Sequence, residues 1–279
     1  MEPALYVVAT PIGNLRDITL RALDVLAAAG VVAAEDTRNT KHLLAHHGIS
    51  AKKLMAVHQH NERAAAEKIV ALLQSGQSVA FVSDAGTPAV SDPGALLVQA
   101  VRAAGLRVIP VPGANAAIAA LSAAGLTDSH FLFYGFLPNK SGARRAAIES
   151  LRGHTCTLVF YEAPHRIVEC IADLCTVLGG ERQVVLAREI TKLFETIHAC
   201  ALCDAGAWLA SDSNQQRGEF VVLISGAAPQ QGLPAEARHA LEILLNELPL
   251  KQAVQLAAQI SGAGRNELYQ LALQIKDPG

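Results

Sequence analysis

The chain has 279 residues, 51% hydrophobic and 17% charged, with a formal net charge of −2. That length suits two domains and a small appendage around ample apolar cores. The near-neutral balance excludes a general basic coat, so a nucleic-acid partner needs a local basic patch.

Met1-Glu2-Pro3-Ala4-Leu5 runs straight into a strand without a basic-plus-apolar leader. No stretch approaches the ~20 apolar residues of a membrane span. A cytoplasmic protein with no membrane contact is expected. Residues 5–9 read as a buried strand, followed by the turn Thr10-Pro11-Ile12-Gly13-Asn14. Thr19 is a fitting N-cap for a helix over 19–29. A strand over 31–34 ends in Glu35-Asp36-Thr37-Arg38, where three ionisable groups stand in the place of one cap. A helix over 37–47, a strand over 53–57 and a helix over 62–74 follow. An apolar strand from Val79 then breaks at Ser83 into a long loop of Ser, Asp, Gly, Thr and Pro reaching Gly94, and a helix resumes at Ala95. A strand over 106–111 precedes Pro112-Gly113-Ala114-Asn115 and an Ala-rich helix over 114–125. Strands alternating with helices of these lengths predict a doubly wound parallel sheet.

Residues 126–129 form the predicted domain boundary, and 131–134 open a second sheet. Helices are expected over 144–151, 164–178 and 204–211, with strands over 156–161, 183–187, 196–201 and 218–225. Fewer helices between the late strands predict a mixed sheet. A linker over 227–232 leads to three short helices over 234–247, 251–260 and 265–275. Within them Ala258, Gly262 and Leu268 sit at the offsets of a helix-turn-helix. Most such tails only pack, and nucleic-acid contact is the lesser reading. The fold class is therefore α/β: domains over 1–125 and 126–227, and a helical extension over 233–279.

Loops that follow parallel strands gather at the carboxyl edge of the sheet, where open α/β folds bind ligands. Ordinary βα turns need the same residue types, but the 83–94 loop is longer than such a turn requires. Asp84 is the only charge in its first half, and no Lys or Arg lies between Gly76 and Arg102. The loop is poor for gripping phosphate and suited to a hydroxyl or amine. Gly113 lets a ligand approach backbone with no Cβ in the way. Neither G-x-G-x-x-G after the first strand nor G-x-x-x-x-G-K-[ST] occurs, which disfavours a dinucleotide site and a P-loop. The pairs His42/His46 and Cys200/Cys203 lack completing ligands, so no metal is expected. Tyr161-Glu162-Ala163-Pro164-His165-Arg166 and the cluster at 188–195 follow apolar strands, which argues against a merely solvated rim. Lys140, Arg144, Arg145 and Arg152 surround a Gly/Pro loop and form the best phosphate-contacting patch.

Six segments share the order and spacing of one family. They are Ala9-Thr10-Pro11-Ile12-Gly13-Asn14-Leu15, Ala34-Glu35-Asp36-Thr37-Arg38, residues 82–94, Val111-Pro112-Gly113-Ala114, residues 161–166 and residues 188–192. Together they resemble the tetrapyrrole methylase superfamily over about residues 5–226, and within it the branch that methylates a cytidine 2′-hydroxyl of 16S ribosomal RNA. The resemblance implies two α/β domains, S-adenosylmethionine in the cleft between them, and a homodimer. It implies that Ile12, Asp84, Gly86, Thr87, Pro112, Gly113, Asn115 and Ala116 line the cofactor from the first domain. Tyr161, Glu162 and Ala163 approach from the second. Asn115 stands where the family carries serine. Help in removing the hydroxyl proton falls to Glu35, Asp36, Glu162 or His165. Arg38, Lys140, Arg144, Arg145, Arg166 and Lys192 are the candidates for RNA phosphates. Two other readings stay open: a methyltransferase of the same superfamily acting on a tetrapyrrole or a protein side chain, and a non-enzymatic RNA-binding ribosome assembly factor.

Overall fold

The computed structural model describes residues 1–228 and 235–276. Residues 1–226 form one compact unit and 227–279 a second. Of the linker predicted over 227–232, positions 229–232 lie outside the described residues, as does Pro234, the predicted start of the first tail helix.

The first sheet contains β1 (Leu5–Val8), β2 (Val31–Ala34), β3 (Leu54–Ala56), β4 (Val79–Val82) and β5 (Val108–Val111). Its order is β3-β2-β4-β1-β5 and every pairing is parallel. β2 and β4 are buried along their whole length, as strands covered on both faces must be. α1 (Leu20–Ala28) and α2 (Thr37–His46) cover one face through Ala22, Val25, Leu26 and Leu44. α3 (Glu62–Gln74) and α4 (Ala95–Ala103) cover the other through Ile69, Leu73, Leu97 and Val101. Thr19 caps α1 as predicted, its hydroxyl accepting the Ala22 N–H at 3.1 Å.

The second sheet contains β6 (Phe131–Phe136), β7 (Thr157–Glu162), β8 (Gln183–Arg188), β9 (Thr196–Ala201) and β10 (Phe220–Ile224) in the order β6-β7-β10-β8-β9. Only β6 and β7 run parallel, so the sheet is mixed. α6 (Ser141–Leu151), α7 (Ile167–Leu178) and α8 (Leu202–Ser211) cover one face. In α7 the buried Ile167, Cys170, Ile171, Leu174 and Leu178 recur at helical spacing and form the stripe that packs there. The opposite face receives α5 (Ala116–Ala124), whose Ala117 and Ala120 pack on Val159, Val185, Val221 and Leu223. α5 follows β5 of the first sheet yet packs on the second, tying both sheets into one unit.

α9 (Ala235–Glu247), α10 (Leu250–Ser261) and α11 (Arg265–Lys276) form the second unit around Leu241, Val254, Ala257, Leu268 and Ala272. α10 stops at Gly262, whose N–H bonds Ala258 O at 2.9 Å in a left-handed cap. No described helix is long and apolar enough to cross a membrane.

One buried acid sets the end of the long loop after β4. Glu62, at the start of α3, accepts the N–H groups of Gly94 and Leu96 at 2.9 Å and of Leu97 at 3.2 Å. It thereby satisfies the open N-terminus of α4 with a favourably placed negative charge. Glu62→Ala is expected to lower stability by about 1–3 kcal/mol in denaturant unfolding, because buried donors lose their acceptor.

Candidate functional site

The loops at the carboxyl edge of the first sheet are laced to one another. Thr10 and Gly86 exchange backbone hydrogen bonds at 2.9 and 3.1 Å, and the Thr10 hydroxyl donates to Ser83 O at 3.2 Å. Thr87 donates its hydroxyl to Ala114 O at 3.1 Å. Asp84 accepts the Asp36 N–H and the Asn39 amide at 3.0 Å each, while its own N–H reaches Glu35 at 3.4 Å. Ala89 and Ser91 both adopt left-handed backbone, with φ of 66° and 63°. Non-glycine residues hold that conformation only where their surroundings over-determine it.

Two close approaches join these loops to the second sheet. A Cβ on Gly13 would meet Lys192 Cγ at 2.5 Å, and one on Gly135 would meet Ser91 Oγ at 2.7 Å. Between them lies a cavity of about 400 Å³, lined from the first side by Ile12, Gly86, Thr87, Asp92, Asn115 and Ala116. Tyr161, Glu162, Ala163, His165, Glu189 and Lys192 line it from the second. That volume falls in the roughly 300–1,000 Å³ range of small-molecule sites. A smaller cavity of about 190 Å³ lies beyond Thr10, with Asn39, His42 and Asp84 in its wall.

The larger cavity is lined by more acids than bases. Among the described residues Lys192 is the only Lys or Arg lining it, and its Nζ is held by Glu189 and Glu219 at 2.8 Å each. Burial works to raise the Glu189 pKa, but Lys192 and the Glu219 N–H outweigh it and hold the carboxyl below its ordinary value. Asp92 behaves in the opposite way. Burial first, then the nearby negative charges of Glu35 and Asp84, push its pKa up to about 6 against a weaker opposing hydrogen bond from Ser83. Glu35 is likewise raised, mainly by burial.

Of the residues expected at the cofactor, Ile12, Gly86, Thr87, Asn115, Ala116, Tyr161, Glu162 and Ala163 all meet in this wall. Asn115 spends its side-chain oxygen on the Ile118 N–H at 3.1 Å, capping α5, and the Tyr161 hydroxyl accepts the Ala117 N–H at 3.3 Å. Three others lie outside the wall. Asp84 sits in the smaller cavity, and Pro112 and Gly113 are exposed. A Cβ added to Gly113 would stand 2.9 Å from the Cβ of Ala9, so the missing side chain lets the loops after β1 and β5 close on each other.

Glu162 and His165 line the cavity, whereas Glu35 and Asp36 do not. Asp36 caps α2 and is bound by Arg38 at 2.6 Å; those hydrogen bonds bring its pKa down to about 2.

Two of the expected RNA contacts are corrected by the structure. Arg144 is 1% exposed, with Nε on Asp173 at 2.7 Å, so it is an interior ion-pair residue and not a phosphate ligand. Arg166 pairs with Glu162 at 3.2 Å and donates to Leu137 O at 2.6 Å and to Asn139, so it clamps a loop. Arg145 also binds Asp173, at 2.5 Å, though half of its side chain stays exposed. Lys140 and Arg38 remain solvent-facing. Asp92 and Glu219 are cavity acids that motif reading passed over. For Asp92 the signal was a second acid in a βα loop that already carried one.

A profile of the Tetrapyrrole (Corrin/Porphyrin) Methylases matches residues 4–205, and that of the RsmI C-terminal HTH domain matches residues 231–276. The chain is 54% identical to Ribosomal RNA small subunit methyltransferase I of Pseudomonas aeruginosa, over 97% of this chain and 96% of that one. It is 52% identical to the protein of the same name from Escherichia coli O157:H7, over 97% and 94%. In fold it resembles the uroporphyrin-III C-methyltransferase of Thermus thermophilus solved with S-adenosylhomocysteine. The TM-score is 0.56 at 18% identity, covering 80% of this chain and 97% of that one.

Proposed function

Because the chain belongs to the tetrapyrrole methylase family, we propose that it is an S-adenosylmethionine-dependent methyltransferase of small-subunit ribosomal RNA, acting on a cytidine ribose 2′-hydroxyl. The observation that carries this reading is the identity of 54% with a small-subunit ribosomal RNA methyltransferase over nearly the whole chain.

The cavity's chemistry fits the cofactor. Its walls are mostly apolar with a few fixed polar groups, and Lys192, the only Lys or Arg among the described residues that line it, is neutralised by two carboxylates, so a polyphosphate finds little counter-charge. A sulfonium cation instead meets a surplus of acids. The buried Glu162 Oε2 has no hydrogen-bond partner among the described residues, which leaves an acceptor to spare in that wall. When bound, S-adenosylmethionine supplies an electrophilic methyl group. The protein's part is to align acceptor and methyl, exclude water and remove the hydroxyl proton.

In this reading 1–125 and 126–227 act as two lobes. Ile12, Gly86, Thr87, Asn115, Ala116, Tyr161, Glu162 and Ala163 hold the cofactor, with Asp84, Pro112 and Gly113 setting the loops around them. Lys140, Arg38 and the exposed part of Arg145 offer charge to RNA phosphates. The protein works in the cytoplasm as a homodimer.

Incubation with methyl-labelled cofactor and either naked small-subunit RNA or assembled subunits tests this. Label on a cytidine ribose is expected. Label transferred only to a precorrin, or RNA bound without label, would reject it in favour of a tetrapyrrole enzyme or an assembly factor.

A further inference from the structure

The smaller cavity lies across one backbone bridge from the larger. Thr10 lines the first and Gly86 the second, and these two residues exchange their backbone hydrogen bonds. At about 190 Å³ it falls below the ~300 Å³ at which ordinary small-molecule sites begin, so it suits one ring and not a whole nucleotide. Thr10, Pro11, Leu43 and Ser83 form a buried floor, and Leu15, Asn39, His42 and Asp84 an exposed rim. The floor's hydroxyls at Thr10 and Ser83 are turned onto backbone, at Ser83 O and Ala85 O. Polar recognition therefore falls to the rim, where the Asn39 amide donates to Asp84 at 3.0 Å. Each Asp84 oxygen takes one N–H and keeps a lone pair, while Asn39 uses one amide hydrogen and keeps the other. An acceptor thus stands beside a donor at the mouth of a small apolar-floored slot. Two cations on α2 flank it. Lys41 is exposed and among the described residues pairs with no carboxylate. Arg38 binds Asp36, yet 84% of its side chain reaches solvent.

We propose that the smaller cavity seats the unstacked cytosine of the RNA substrate, its exocyclic amine donating to Asp84 and its N3 accepting from the Asn39 amide. The inference rests on the reading of the protein as a methyltransferase of small-subunit ribosomal RNA. Sequence in RNA is read chiefly at unstacked bases, through stacking and the Watson–Crick edge, and a carboxylate is the side chain that accepts a cytosine amine. Uracil presents the reverse edge. Its O4 faces the Asp84 carboxylate and its N3–H faces the Asn39 amide, so acceptor meets acceptor and donor meets donor. A base held here leaves its own ribose at the Thr10–Gly86 bridge, beside the cavity assigned to the methyl donor. Lys41 and the exposed part of Arg38 take the adjoining phosphates. Toward the cofactor Asp84 acts only by holding loops; toward the smaller cavity it is the acceptor that tells cytosine from uracil.

Methylation by the full chain of small subunits that differ only in a cytidine or a uridine at the modified position tests it, at saturating cofactor. The unaltered protein is expected to favour cytidine in kcat/KM on the order of 100-fold. Asp84→Asn presents both a carbonyl and an amide to the base and should bring that preference within about threefold. Both substrates meet the same variant, so any loss of cofactor affinity cancels in the ratio. Asn39→Ala keeps the carboxylate and removes the donor facing N3; it should narrow the preference about 10-fold, and it decides the matter where Asp84→Asn transfers to neither substrate. Lys41→Gln should weaken both substrates alike and lower the salt slope of subunit binding by about 1.

An active parent that methylates uridine as readily as cytidine would overturn the proposal alone. So would Asp84→Asn or Asn39→Ala losing rate on both substrates with the preference intact. A parent that methylates no ribose would overturn the functional reading and the proposal with it.

Discussion

Asp173→Ala is expected to destabilise the fold by about 3–5 kcal/mol, the cost of stranding a buried charge. Asp173 lies on α7, with 4% of its side chain exposed, and takes Arg144 Nε at 2.7 Å and Arg145 Nε at 2.5 Å. The Ser141 hydroxyl also donates to it, at 3.0 and 3.2 Å. Without the carboxylate, the Arg144 guanidinium keeps only Asn139 O at 3.2 Å and the largely exposed Glu169 at 3.5 Å. A charge that poorly matched cannot stay inside at little cost. Urea unfolding measures the loss. Arg145→Ala is the control: about half of that side chain reaches solvent, so its removal should cost about 1 kcal/mol or less. Equal losses in the two variants would show that the pair does not depend on burial. Replacing Arg144 and Asp173 together by Met and Leu should recover much of the deficit.

The same pair marks where sequence reading reached its limit. Arg144 and Arg145 stand beside a Gly/Pro loop and read as a basic patch, because the acid that absorbs both is 28 or 29 positions away. Ser141 extends α6 three residues earlier than the pattern indicates, again through Asp173. Arg166 fails as a phosphate ligand for a similar reason, its partners being the backbone at Leu137 and the Asn139 side chain. By contrast, β2 and α3 fall on their predicted residues, since apolar runs, helical periodicity and capping are local properties. The cavity was legible as a meeting of loops, because a parallel sheet gathers them at one edge. The charge balance inside it was not legible. That depends on Lys192 bridging Glu189 and Glu219, and on Glu35 and Asp84 crowding Asp92.

Asp84→Ala is expected to weaken cofactor binding in calorimetry on the order of 10-fold or more. The side chain is exposed, so the fold should change stability by only about 0.5 kcal/mol. Its work is positional. One carboxylate oxygen accepts the Asp36 N–H and the other the Asn39 amide, both at 3.0 Å, so the start of α2 is pinned to the loop that follows β4. That loop reaches Ile12 through the Thr10–Gly86 bridge and Asn115 through the Thr87 bond to Ala114. Removing the carboxylate frees three laced segments at once, and binding groups displaced by even ~1 Å lose much of their affinity. Asp84→Asn keeps one acceptor and should fall between the two. Unchanged affinity in Asp84→Ala would mean that the loops hold their shape without it, and Asp84 would leave the cofactor site.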